Sequence, residues 1–245
     1  IIIPPRLRKA HEEGHQKFVL TRQKHIFNQR IELTAMRSDG SEFPVELTLT
    51  ALNEDGLSLV TGFIRDISEQ KKARQEIENF AYYDVLTGLR NKRYFQEAFE
   101  EMFARALRSR GDISCLFFDL DHFKKVNDTC GHAFGDYVLK TIGALVKKNV
   151  RFGDLAARFG GEEFVVALPN TGLDQAGFVA EKIRALVEAH TFSDQGRQWA
   201  VTVSIGVASL HFHQPATGQE LLHQADKALY LAKDAGRNRV VYCPE

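Results

Sequence analysis

Arg158-Phe159-Gly160-Gly161-Glu162-Glu163-Phe164 sets two glycines and two carboxylates between apolar runs, Leu155–Phe159 and Phe164–Leu168, that both read as β-strands. A Gly-Gly loop suits a tight hairpin that needs positive φ, so Glu162 and Glu163 are expected to begin the return strand. Adjacent strand residues face opposite ways. One carboxylate can then meet a cation above the sheet while its neighbour turns elsewhere. The missing Cβ atoms of Gly160 and Gly161 let backbone N–H groups approach a phosphate closely. Standing alone, such a motif is more often a surface hairpin with solvated acids.

It does not stand alone. Upstream, Ile113-Ser114-Cys115-Leu116-Phe117-Phe118 is a nearly continuous apolar run, as expected of a buried strand, and it ends in Asp119-Leu120-Asp121. Carboxylates at the edge of a buried strand are costly unless solvated, paired or bound to a cation. A strand-end Asp beside a hairpin Glu suits hard divalent ions that also grip phosphates, Mg²⁺ or Mn²⁺ rather than zinc. Next come Phe123-Lys124-Lys125-Val126-Asn127-Asp128 and Gly131-His132-Ala133-Phe134-Gly135-Asp136. Asn127 and Asp136 can together offer a donor, an acceptor and a carboxylate to the edge of a guanine.

These stretches, taken in order, resemble the GGDEF family of diguanylate cyclases in its GGEEF variant, from about Asp84 to Tyr242. The resemblance also rests on Asp84-Val85-Leu86-Thr87-Gly88-Leu89 with Asn91 and Arg93, on Ser204-Ile205-Gly206, and on Ala225-Asp226 through Tyr230, Lys233 and Gly236-Arg237-Asn238. It implies an α+β fold with a palm-like central sheet flanked by helices, and condensation of two GTP into cyclic di-GMP at a homodimer interface. It further implies Asp119, the Leu120 carbonyl and Glu162 as ligands of two Mg²⁺ or Mn²⁺ ions, with Glu163 as base or additional ligand. Asn127 and Asp136 would read guanine. Lys233 and Arg237, on one helical face if the helix persists that far, would hold the terminal phosphates. Phe123, Lys124, His132, Gly160 and Gly161 complete the implied substrate-binding set. Arg151-Phe152-Gly153-Asp154, just before the hairpin, resembles the family's RxxD product-inhibition motif, with Arg184 contributing from the next helix. The rival reading is a catalytically silent domain that binds GTP or cyclic di-GMP and signals through a partner. Glu in the third motif position lengthens the carboxylate arm, and Lys92 stands where the family often has Arg.

Composition agrees. The chain has 245 residues, 44% of them hydrophobic, and a formal net charge of zero, so nothing suggests a nucleic-acid polymer as partner. No run of about 18 apolar residues marks a membrane segment and no signal-peptide pattern is visible. Cys115, Cys130 and Cys243 are widely spaced and read as reduced thiols of a cytoplasmic protein, Cys115 in the core.

The chain is expected to divide into residues 1–68, a linker helix at 69–83, and the catalytic domain at 84–245. Arg30–Arg37 and Phe43–Leu49 alternate as half-buried strands about the Ser38-Asp39-Gly40-Ser41 turn, and Leu57–Ile67 supplies a third. This stretch, with its Arg65-Asp66-Ile67-Ser68-Glu69 exit, resembles the C-terminal part of a PAS sensor domain. Ala73, Ile77 and Phe80 are spaced for one helical stripe, which fits either packing on its own domain or a seam between two chains. The family resemblance favours the seam. Helices are expected at Tyr94–Arg108, Asp136–Val150, Asp174–Ala189 and Gln219–Ala232, and strands at Val201–Ala208 and Arg239–Tyr242.

Overall fold

The structure is a computed structural model that describes residues 2–21, 29–54, 57–194 and 196–244. Its contacts divide the chain into two compact units, Ile1–Glu78 and Asn79–Glu245.

The first unit holds helix α1 (Pro5–Thr21) and an antiparallel sheet of β1 (Arg30–Met36), β2 (Glu42–Glu54) and β3 (Leu57–Asp66). The β1–β2 turn forms where expected. Gly40 takes φ +87°, and Asp39 Oδ1 accepts from the backbone N and hydroxyl of Ser41. Asp66 then starts helix α2 (Ser68–Tyr82) by accepting from Ser68 N at 2.9 Å, while Arg37 holds its other oxygen at 2.6 Å. Ala35, Val45 and Ile67 form the small buried centre of this unit. Along α2, Ala73, Ile77 and Phe80 are exposed.

The second unit contains β4 (Arg90–Asn91), α3 (Lys92–Ser109), β5 (Ile113–Leu120), α4 (Phe123–Cys130), α5 (His132–Asn149), β6 (Leu155–Gly160) and β7 (Glu163–Pro169). After them come α6 (Leu173–Ala189), β8 (Thr191–Asp194), β9 (Arg197–Ala200), β10 (Val203–Ser209), α7 (Leu210–His213), α8 (Gly218–Asp234) and β11 (Val240–Tyr242). Six strands make one mixed sheet in the order β11-β10-β5-β7-β6-β4, with β8 and β9 as a separate hairpin.

β5 lies antiparallel to both β7 and β10, and each of its eight residues is buried. Its alternation therefore feeds two cores. Leu116, Phe118 and Leu120 join residues of α4, α5 and α6, whereas Cys115 and Phe117 join Phe95, Phe99 and Phe103 of α3 and Leu221, Ala225 and Ala228 of α8. Helices thus cover both faces of a central sheet, the expected α+β arrangement. Among the described residues no helix is long and apolar enough to cross a membrane.

One glycine sets the spacing of a whole layer. A Cβ at Gly206 on β10 would overlap the backbone of Ala225, Ala228 and Leu229, so α8 can rest on the sheet only where side-chain volume is absent. Gly206→Ala is expected to destabilise the second unit by at least about 3 kcal/mol, the upper end of ordinary overpacking, because backbone rather than a flexible side chain must move. Urea unfolding of both proteins checks it.

Candidate functional site

The buried strand β5 delivers Asp119 to the edge of the sheet, where it pairs in register with Ser204 on one side and Glu163 on the other. Leu120 N donates to Glu162 O at 3.4 Å, tying the hairpin to the strand end. The hairpin differs from its sequence reading in one respect. β7 begins at Glu163, and Glu162 lies in the turn, so the two acids diverge by turn geometry rather than by strand alternation. Gly161 alone of the glycine pair takes positive φ, +36°, while Gly160 closes β6.

Asp119 is 8% exposed. Burial pushes its carboxyl up to about 6, against the opposing Lys233 ammonium, and the negative charges of Glu162 and Glu163 add to the rise. Lys233 Nζ stands 3.1 Å from Asp119 Oδ2. Among the described residues no three acidic, histidine or cysteine side chains are already gathered about a cation-sized point. The donors nonetheless fit a hard divalent ion. They are carboxylate oxygens whose mutual repulsion and desolvation a cation would relieve.

Two hydrogen-bond hubs that sequence reasoning gave no role hold this edge. Arg158 donates from Nε and Nη2 to Gly161 O at 2.9 and 2.7 Å and from Nη1 to both oxygens of Asp84 at 3.3 and 3.2 Å. Asp84 also accepts from Thr87 N and Oγ1, so the Asp84–Leu89 turn braces the Gly-Gly turn. Asp121, 6% exposed, accepts from Thr202 Oγ1, Ser204 Oγ and Asn238 N at 2.7, 2.6 and 3.0 Å. It is a buried acid satisfied by neutral donors. The only advance sign of either was position, an Arg opening the hairpin motif and an Asp closing the strand.

Asn127 is half-buried on α4, with Asp136 exposed in α5. A Cβ at Gly135 would coincide with the Asn127 side-chain oxygen, so this glycine makes room for the amide. Arg197 of β9 donates to Cys130 O at the end of α4, securing the helix that carries Asn127. The Phe123 ring is core, which leaves its backbone N–H as the group at the helix start; Lys124 and His132 are exposed.

Lys233 and Arg237 do not share a helical face. α8 ends at Asp234 in a Schellman motif, with Gly236 N bonded to Lys233 O, Arg237 N bonded to Ala232 O, and Gly236 at φ +109°. Arg237 follows at φ +64° and Asn238 at φ +45°. Arg237 therefore projects from a left-handed turn beyond the helix.

Arg151 and Asp154 are adjacent, with the guanidinium largely exposed. Asp154, whose side chain is only 4% exposed, accepts from Arg151 N and Nε at 2.9 and 3.1 Å, and Arg151 Nη2 reaches Pro169 O and Thr171 Oγ1. Arg184 is elsewhere engaged. It forks onto Glu181 and reaches Glu188 and Asn238, and among the described residues no hydrogen bond joins it to Arg151 or Asp154.

Comparison with known proteins gives a consistent result. The model of the diguanylate cyclase GGDEF domain matches residues 81–239. Diguanylate cyclase DgcM of Escherichia coli K12 is 40% identical over 204 residues, covering 83% of this chain and 48% of the relative. Response regulator PleD of Caulobacter vibrioides is 44% identical over 163 residues, covering 66% and 36%. The chain thus spans about half the length of the first of these curated relatives and less of the second. Among solved structures, the coiled coil and GGDEF domain of DgcB from Caulobacter crescentus in complex with c-di-GMP aligns with TM-score 0.67 at 29% identity, over 72% of this chain and 93% of that one. The active GGEEF domain of a diguanylate cyclase from Vibrio cholerae aligns with TM-score 0.59 at 37% identity, over 63% and 97%.

Proposed function

The chain belongs to the GGDEF family of diguanylate cyclases, and from that premise we propose that it condenses two GTP molecules into cyclic di-GMP, releasing two pyrophosphates. The observation that carries the reading is the buried Asp119 carboxylate at the end of β5, beside Glu162 and Glu163 and in contact with Lys233. Each 3′-hydroxyl attacks the α-phosphorus of the other GTP and a pyrophosphate leaves in line. Asp119, the Leu120 carbonyl and Glu162 would hold two Mg²⁺ or Mn²⁺ ions, which when bound neutralise charge on the attacking and leaving oxygens. Glu163 is assigned to receive the hydroxyl proton or to add an oxygen ligand. Asn127 and Asp136 orient guanine, while Lys233, Arg237 and the backbone N–H groups of Phe123 and Lys124 hold the triphosphate. Incubation with GTP and Mg²⁺, with products identified by mass, tests the reading. Product of cyclic di-GMP mass supports it, and intact GTP at high enzyme concentration overturns it in favour of a receptor.

One such site holds one GTP, so two chains must face each other about a twofold axis. The exposed Ile77 and Phe80 of α2 support a seam between chains, and the β1-β2-β3 sheet supports reading the first unit as the end of a PAS sensor, whose signal decides whether the catalytic domains meet. A cytoplasmic location follows from the GTP substrate. Arg151 and Asp154 are assigned to product feedback. Arg151→Ala is expected to weaken cyclic di-GMP binding by about tenfold, as for loss of one charge-assisted bond, and to prolong the linear phase of progress curves. Calorimetry against cyclic di-GMP decides; unchanged affinity with equally early slowing removes the assignment.

A further inference from the structure

Helix α6 reaches across to the turn that follows α8. Arg184, 14% exposed at its side chain, donates from Nη1 to Asn238 Oδ1 at 2.7 Å and to Glu188 Oε2 at 2.7 Å, while Glu188 Oε1 accepts from Asn238 Nδ2 at 2.7 Å. The fork onto Glu181 at 2.6–3.0 Å fixes the guanidinium plane. Asn238 is thereby held at both ends of its amide, and its backbone N–H is bonded to the buried Asp121.

This closed set of partners surrounds a backbone that needs support. Arg237 and Asn238 are consecutive non-glycine residues with positive φ, a conformation that costs each of them energy and persists where surroundings over-determine it. Arg237 itself is exposed, and its backbone is bonded to Ala232 O and to Arg239 Nε. The Asn238 amide adds side-chain anchors to this turn that the Arg237 backbone bonds do not supply.

We propose that Arg184 and Glu188 are positioning residues of the nucleotide site, which act through the Asn238 amide to hold the left-handed turn and so aim Arg237 at the terminal phosphates. The proposal rests on the cyclase reading for Arg237, and it gives Arg184 a task other than product feedback. Loss of the latch lets Arg237 sample directions away from the triphosphate, so substrate binding weakens while the reacting oxygens and acids stay in place. The signature is a rise in KM larger than the fall in kcat.

Arg184→Gln and Asn238→Gly provide the test, the latter because glycine keeps positive φ while deleting the amide. Each is expected to raise the KM for GTP by about fivefold or more, the worth of one net hydrogen bond, with a smaller fall in kcat. The double variant should be little worse than either single one, since both break one link. Glu188→Gln, which keeps an acceptor for Asn238, should retain more affinity than Glu188→Ala. Calorimetric titration with a GTP analogue carrying a methylene between the α and β phosphorus atoms reads binding independently of turnover. Analogue affinity unchanged in folded Arg184→Gln and Asn238→Gly overturns the latch even if the wild type makes cyclic di-GMP. Absence of cyclic di-GMP from wild type, with analogue affinity lost in both variants, instead overturns the cyclase reading and keeps the latch. Weakened cyclic di-GMP binding with unchanged analogue affinity returns Arg184 to feedback and also overturns the proposal.

Discussion

Asp119→Asn is expected to lower turnover by about 10²–10³-fold, the range lost when a group that stabilises transition-state charge is removed. Glu162→Ala should fall in the same range. The amide keeps the shape of the carboxylate, so the loss reports on charge and ligation. The same substitution is expected to stabilise the protein in the absence of divalent ions. The Asp119 carboxyl is raised to about 6 by burial, above the ordinary 3.8, so the native state holds a proton that the unfolded chain has already released. Native stability therefore declines as pH rises from about 4 to 6, and the full cost is present at neutral pH. A neutral amide at this position carries no such cost. With a chelator present, the melting temperature of the variant should exceed that of the wild type at pH 8 and converge with it near pH 4. Near-normal turnover in a folded variant would end the ligand assignment; a lower melting temperature at pH 8 would show that the Lys233 pair outweighs desolvation.

Dilution provides the second large effect. When monomers predominate, the dimeric fraction is proportional to total concentration, so a tenfold dilution should lower specific activity by about tenfold, and activity should level off once dimers predominate. An excess of Asp119→Ala chains mixed with wild type should suppress activity by forming dimers with one competent half, given subunit exchange. Specific activity that stays flat while sedimentation reports a change from monomer to dimer would remove the inter-chain reaction centre.

The centre of the catalytic fold was legible because its determinants are local. The apolar run before Asp119 can only be buried on both faces, and the Gly-Gly turn gives β6 and β7 their direction. Helices with a strong apolar stripe, α3, α6 and α8, lie within two residues of their expected bounds. What escaped was short or polar. α4 is eight residues long and mixes Lys, Asn and Asp, and β8 and β9 have four residues each. The carboxylates and the Asn127–Asp136 pair were visible as residue types in series. The hydrogen-bond networks of this edge were not, because Arg158, Asp121 and Arg184 bond to partners far apart in the chain: Asp84 is 74 positions from Arg158, Asn238 is 117 from Asp121 and 54 from Arg184. The shared face of Lys233 and Arg237 was conditional on the helix continuing, and it does not, because the αL exit at Gly236 ends it first.

The bond between Lys233 and Asp119 has a thermodynamic consequence. On the proposed assignment a divalent ion would need the oxygen that the ammonium holds, and a triphosphate the ammonium that the oxygen holds. Whichever arrived first would break the pair and leave the other half ready for its own ligand. On that assignment cation and nucleotide would be positively linked through a contact that neither completes, and linkage requires each to tighten the other by the same factor.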